Sequence, residues 1–162
     1  MFNLDYGFRM PLNEKFFLNV ENNYTYNYSN LDYYDSRNDP FISNDIFTPN
    51  YYSYHSASIY PYIEYVNSLQ QDKDLIVKLG YSYLFRYYPE RKAQFANGGY
   101  KLNDQRDLEH TLYSSLTMPL TKKFDFLLRC WYTWARSNQK FEQFYRYKYD
   151  TYVAQAGFSL DF

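Results

Sequence analysis

Two histidines, His55 and His110, and one cysteine, Cys130, are the side chains best suited to proton transfer, nucleophilic attack or metal ligation near neutral pH. Their spacing supports none of these. No Cys/His cluster has the separation of a zinc site. No glycine-rich phosphate loop or nucleophile elbow appears. Both histidines fall in the apolar register of strand-like segments, where a lone His is more often interfacial than catalytic. Cys130 shares that register and reads as a small apolar surface residue; alone, it forms no internal disulfide. Asp and Ser recur in the long polar stretches, which leaves a hydrolase as a minor alternative. The reading is therefore of a protein that is not an enzyme, with no catalytic residue, metal or cofactor assigned.

A second set of residues has the spacing of a lining rather than of a catalytic group. Asp5, Arg9, Glu21, Glu64, Lys78, Arg86, Glu109, Asp125, Arg129 and Asp161 each alternate with apolar neighbours. On strands, such charges form a ladder along a lumen or pair across a narrow interior, and rings of charge set ion preference. Arg9, Glu21, Glu64, Lys78, Arg86, Glu109 and Arg129 are the candidates for that inward face. The alternative is the solvated face of a soluble sheet, since inside and outside swap without changing the pattern. The net charge of −1 implies no general attraction to nucleic acid.

The elements that must position these residues are strands. Tyr and Phe number 23 and 14, aromatics make up 24% of the chain, and mean hydropathy is nevertheless −0.70. Many rings, many polar residues and few aliphatics suit strands with one apolar and one polar face. No stretch approaches the ~18 consecutive apolar residues of a membrane helix. Helical periodicity is poor, and period-two alternation predicts seven strands, over residues 2–10, 16–28, 54–66, 75–87, 108–118, 124–134 and 151–162. In the first, Phe2, Leu4, Tyr6, Phe8 and Met10 oppose Asn3, Asp5, Gly7 and Arg9. In the fourth, Leu75, Val77, Leu79, Tyr81, Tyr83, Phe85 and Tyr87 oppose Lys78, Gly80, Ser82 and Arg86.

The connections alternate. Residues 11–15, 67–74 and 119–123 are short; 29–53, 88–107 and 135–150 are long and polar. Short turns at one end and long loops at the other are the habit of outer-membrane barrels. Met10-Pro11-Leu12-Asn13-Glu14-Lys15-Phe16 and Met118-Pro119-Leu120-Thr121-Lys122-Lys123-Phe124 form a weak internal repeat, both at short turns. Aromatic side chains gather toward the loop ends (Tyr24, Tyr26, Tyr28, Tyr81, Tyr83, Phe85, Tyr87, Tyr132, Trp134, Tyr152). Leu18, Val20, Leu75, Val77, Leu79 and Leu128 lie nearer the turns. Tyr and Trp favour a membrane interface, so the zoning predicts a girdle with an aliphatic band beneath it.

The C-terminus, Gln155-Ala156-Gly157-Phe158-Ser159-Leu160-Asp161-Phe162, resembles the terminal β-signal by which outer-membrane barrels are recognised by their assembly machinery. Carried over, Gln155, Gly157, Leu160 and Phe162 are the matching positions. The resemblance implies a Gram-negative outer-membrane location, with outer-membrane lipid and the barrel-assembly machinery as partners. From Tyr87 to Phe162 the chain is also loosely similar to the barrel ends of larger outer-membrane proteins that carry periplasmic helical repeats. Arg106-Asp107 and Ser137-Asn138 prompt that comparison. It implies secretion or surface assembly, with other subunits or periplasmic export components as further partners.

The expected fold is thus all-β, an antiparallel up-and-down transmembrane β-barrel forming a single domain over residues 1–162, or the C-terminal part of a longer barrel. Seven strands is one short of the even number usual for a closed single-chain bacterial barrel. That predicts at least one further strand upstream of Met1, or another chain in the wall; the alternative is a strand missed within residues 31–54. Met1-Phe2-Asn3-Leu4-Asp5 lacks a basic n-region followed by an apolar h-region. Export then predicts a leader already removed, or a chain that begins partway into a longer protein. The leading function is a pore or export/transport channel. A non-conducting anchor or adhesin with functional loops is the second, and a soluble lipocalin-like ligand-binding barrel the third.

Overall fold

The computed structural model describes residues 1–35, 46–69, 73–141 and 146–160. Among them the regular elements are all strands: β1 (Phe2–Pro11), β2 (Phe16–Asn27), β3 (Tyr33–Asp35), β4 (Ile46–Thr48), β5 (Tyr54–Ser68), β6 (Asp74–Gln94), β7 (Tyr100–Thr121), β8 (Phe124–Ser137) and β9 (Tyr149–Leu160). Seven of them form one antiparallel up-and-down sheet in the order β1-β2-β5-β6-β7-β8-β9. The expectation of an all-β meander of seven strands holds. Among the described residues these seven strands do not close on themselves: β1 pairs with β2 alone and β9 with β8 alone, so the sheet is open.

Short-range chemistry sets the turns at one end. Asn13 Oδ1 accepts the N–H groups of Lys15 at 2.8 Å and Phe16 at 2.9 Å. Thr121 Oγ1 accepts that of Lys123 at 3.3 Å. Both acceptors occupy the same place after Met-Pro-Leu, and both do what short polar side chains do at turns. The two turns still differ. Pro11 closes β1, whereas Pro119 stays within β7, where the ladder shifts register between Pro119 and Thr121.

The opposite end departs from the alternation. The predicted loop 88–107 is mostly strand: β6 runs to Gln94 and β7 starts at Tyr100, making a tall hairpin with its tip at 95–99. The N–H of Phe95 donates to the Gly99 carbonyl at 2.7 Å, and Gly98 takes φ +83°, a conformation that favours glycine. Register shifts between Tyr88 and Lys92 and between Lys92 and Gln94 explain the miss: the first is an odd shift, which swaps the faces, and both interrupt the regular ladder that a period of two depends on. The described residues of the stretch 31–54 hold two strands, β3 and β4, which pair with each other in a separate two-stranded sheet. The loop end therefore carries two long connections and one tall hairpin, and all three short turns lie opposite.

Candidate functional site

Pairing register decides which side chains share a face. Arg9 pairs with Asn19, Asn19 with Tyr62, and Glu64 with Lys78. Farther along, Lys78 pairs with Ser115, Ser115 with Arg129, and Arg129 with Gln155. Glu21 pairs with Tyr60, Arg86 with Asp107, and Glu109 lies two residues on from Asp107. Since directly opposed residues point the same way, all seven charged candidates, Arg9, Glu21, Glu64, Lys78, Arg86, Glu109 and Arg129, lie on one face.

That face is the concave one. Side chains there reach past an intervening strand: Arg9 on β1 to Glu64 on β5, Tyr60 on β5 to Tyr113 on β7, and Tyr149 on β9 to Glu109 on β7. The Lys73 ammonium, beside the β5–β6 turn, meets Asp125 of β8 at 2.9 Å. Burial agrees. Asn19, Thr25, Ser56, Glu64 and Thr133 are buried on this side. On the other, even the small Ala57 is exposed beside buried Ser56, and Leu79 is 63% exposed.

Near the short turns, Glu64 joins two cations: Arg9 Nη2 at 2.5 Å on Oε1 and Lys78 Nζ at 3.0 Å on Oε2. The Arg9 guanidinium also lies 4.0 Å from the Phe17 ring centre. Glu21 accepts the Tyr62 hydroxyl at 3.2 Å. Midway, Tyr60 and Tyr62 crowd Gly80, where a Cβ would meet Tyr62 Cβ at 2.7 Å and Tyr60 Cε2 at 2.9 Å. Nearer the loops, Arg86 sits 5.4 Å from the Tyr54 ring centre, and Glu109 accepts the Tyr149 hydroxyl at 2.9 Å. Arg129 stands exposed between Ser115 and Gln155.

Above this lining, Arg91 is held between the rings of Tyr51 and Tyr88, each 4.2 Å from its guanidinium carbon. Tyr33 stacks on Tyr51 at 4.5 Å, so the β2–β5 connection is fastened to the tall hairpin. Burial pushes the Tyr51 phenol up to about 12, despite the Arg91 cation. The residues that prompted the looser comparison also meet. Asn138 Oδ1 accepts the Arg106 N–H at 2.8 Å, and the Ser137 hydroxyl reaches Asp107 at 2.6 Å, tying the end of β8 to β7.

The convex face carries the aliphatics named in the sequence pattern and a second set of rings. Sequence reasoning placed both histidines in this register but missed their common setting. His55 Nδ1 lies 2.7 Å from the Tyr24 hydroxyl, and its ring stacks on Tyr26. His110 Nδ1 lies 2.5 Å from the Tyr81 hydroxyl, and its ring stacks on Trp134 at 5.0 Å. Period-two spacing brings each His beside a tyrosine of the neighbouring strand only once the register is known. Cys130 shares this face, between Ser114 and Ala154.

A second correction concerns the turn end. It is not simply aliphatic: Phe16 pairs with Tyr65 at 4.9 Å, and Phe158 with Phe124 at 5.1 Å and Phe126 at 5.6 Å. The aliphatics, among them Val20, Ile63, Val77, Leu79, Leu112 and Leu128, lie between two aromatic belts. Phe16 and Tyr26, about ten residues apart on β2, stand ~33 Å apart along the strand, or ~25 Å along the normal at a tilt near 40°.

The terminal-signal positions fall on the edge strand β9. Gln155 faces inward beside Arg129, Gly157 also faces inward with nothing within 4 Å of a Cβ, and Leu160 faces outward opposite Phe124. Phe162 lies outside the described residues, as does Asp161. Among the described residues no three His, Cys, Asp or Glu side chains cluster to hold a metal. The fold and its lining thus define an all-β protein with an open meander that is polar on its concave side and apolar on its convex side. Comparison with protein-family models, with curated proteins and with solved structures finds no match.

Proposed function

We propose that this chain forms the wall of a membrane-spanning β-barrel of the Gram-negative outer membrane, and that its polar concave face lines a pore or export/transport channel. The observation that carries the reading is the inversion of burial. Polar Asn19, Ser56 and Glu64 are buried inward, while Leu79, Ile63 and Leu112 stand 63%, 45% and 48% exposed outward. In water that arrangement leaves a large apolar face unburied; in lipid it is the stable one. Two aromatic belts about 25 Å apart fit the height of such a barrel's apolar band. A lipocalin-type barrel needs the apolar face on the concave side, so the same observation weighs against it. Gln155, Gly157 and Leu160 are then the positions offered to the assembly machinery.

The two tryptophans test this directly, because Trp131 faces inward beside Val153 and Trp134 faces outward on His110. In vesicles of brominated lipid, Trp131→Phe protein, which keeps Trp134, should lose most of its fluorescence. Trp134→Phe protein should be little quenched. Equal quenching, or none in either, overturns the reading.

A second reading, a non-conducting anchor with its function in the loops, draws on the filled interior. The Arg9–Glu64–Lys78 group and the Tyr60–Tyr113 contact occupy the concave side, and interiors of about eight strands are filled by side chains. Steady single-channel conductance supports the pore; an inserted but silent protein supports the anchor.

A further inference from the structure

Both outer strands of the sheet are unfinished edges. β1 is exposed along its whole length on both faces. Its register with β2 runs without a bulge from Phe2 to Pro11, and that of β9 with β8 from Tyr149 to Leu160. Natural edges are shortened, bulged, or studded with Lys and Pro to prevent further pairing. Neither strand carries a Lys, and the one Pro closes β1 at its end. Each edge instead keeps the two-face pattern of the interior strands: Leu4, Tyr6 and Phe8 outward on β1, Ala154, Ala156 and Phe158 outward on β9. On the concave side, Asp5 accepts only from Asn3 and Asn23 and meets no cation among the described residues.

Strand direction narrows what can fill the gap. β1 and β9 are first and seventh in an alternating sheet, so both run from the loop end to the turn end. Joined to each other, they would pair in parallel. A second copy rotated about the barrel axis would also bring β1 beside β9 in parallel. A copy turned end over end would pair antiparallel but carry its long loops to the opposite side. Only an odd number of added strands leaves every neighbour antiparallel, as every described pairing is. Each strand of the sheet also lies beside the next sheet strand in sequence, and sequential strands are usually neighbours.

We propose that the wall is completed by an odd number of further antiparallel strands of the same polypeptide, apolar outward and polar inward, which bridge β1 to β9. The inference rests on the barrel reading above. The test places the photo-cross-linker p-benzoylphenylalanine at Tyr6 or at Tyr152, whose side chains stand clear at 66% and 82% exposure. The protein is cross-linked in its native cells, membranes are washed with carbonate, and the linked peptides are identified by mass spectrometry. Both positions should capture peptides outside residues 1–162 of the same polypeptide, with no new band at higher mass. Capture of β9 by β1, of a second copy or of a different protein, or no capture at either site in washed membranes, overturns the inference. Recovery of the protein only in the soluble fraction overturns the barrel reading itself, and the inference with it.

Discussion

The two faces of the sheet are built from the same strands yet satisfy opposite requirements. Inward, nearly every charged candidate has a partner: Glu64 holds Arg9 and Lys78, and Glu109 holds the Tyr149 hydroxyl. Outward, rings stack on rings, and among the described residues no second layer covers the aliphatics between them. A sheet in water buries its apolar side and wets its polar side. Here Ser56 is 7% exposed and its neighbour Ala57 is exposed. The difference teaches that one set of strands can hold its polar side together by pairing across the concave face while leaving its apolar side open, which is the contrast the proposed membrane setting rests on.

The sharpest way to break that comparison is to put a charge on each face in turn. Leu79 points outward between the belts, and Leu79→Arg should lower the unfolding free energy by about 2–4 kcal/mol in lipid vesicles. Ser58 points inward into a cleft lined by Asp5, Glu21 and Tyr60. Ser58→Arg should change stability by less than about 0.5 kcal/mol, as ordinary surface changes do. Urea titration of the two variants side by side reads the difference; equal costs would abolish the distinction between faces.

A smaller effect tests crowding within the concave face. An alanine at Gly80 would drive its Cβ against Tyr62 Cβ at 2.7 Å and the Pro61 carbonyl at 3.2 Å. Gly80→Ala should therefore cost about 1–3 kcal/mol through overpacking. Gly157, on the same face but at the open edge, has nothing within 4 Å. Gly157→Ala should leave folded stability within about 0.5 kcal/mol of the parent. If it nevertheless reduces the amount assembled in cells, the loss belongs to the terminal signal and not to packing.

These contrasts also mark what the sequence made legible. The strand number of the sheet follows from period-two alternation, because a pleated strand enforces that period wherever the ladder is regular; that the seven charged candidates share one face needs the pairing register between strands as well. Alternation fails where the ladder shifts. Lys92 pairs with Asp104 only after the shift past Tyr88, so buried Ala93 and Gln105 read as loop in a one-dimensional pattern. β3 and β4, at three residues each, are too short to show a period. The Glu64 bridge was invisible for another reason. Arg9 lies 55 positions from Glu64 and reaches it across β2, and only the curvature of the sheet brings them together.

Glu64→Gln tests that bridge. The neutral amide keeps the shape but leaves Arg9 and Lys78 facing each other without their shared anion. Both cations are partly exposed, at 52% and 35%, so solvent screening limits the loss to about 1 kcal/mol. Lys78→Met combined with Glu64→Gln should cost less than the sum of the two singles, since each removes the other's unpaired partner. Strict additivity in urea titrations would mean that the inward charges do not act as a unit.

The smallest effect separates the lining from the tall hairpin above it. Asp104 is held below the ordinary carboxylate range by its hydrogen bond from Lys92 at 2.5 Å and then by that from the Tyr87 hydroxyl at 2.7 Å. A group whose folded pKa is depressed adds stability that is fully present above its unfolded value, about 4, and is lost as pH falls through the folded one. Between pH 7 and 5 the hairpin should therefore hold, and below about pH 4 its outer rungs should loosen while the strands between the belts do not. Hydrogen exchange of the amides from Lys92 to Asp104, compared with those of Val77 to Tyr81, reads this. Loss of protection in both segments at the same pH would mean that the hairpin and the wall unfold as one body, and that the inward pairing extends unbroken to the tip.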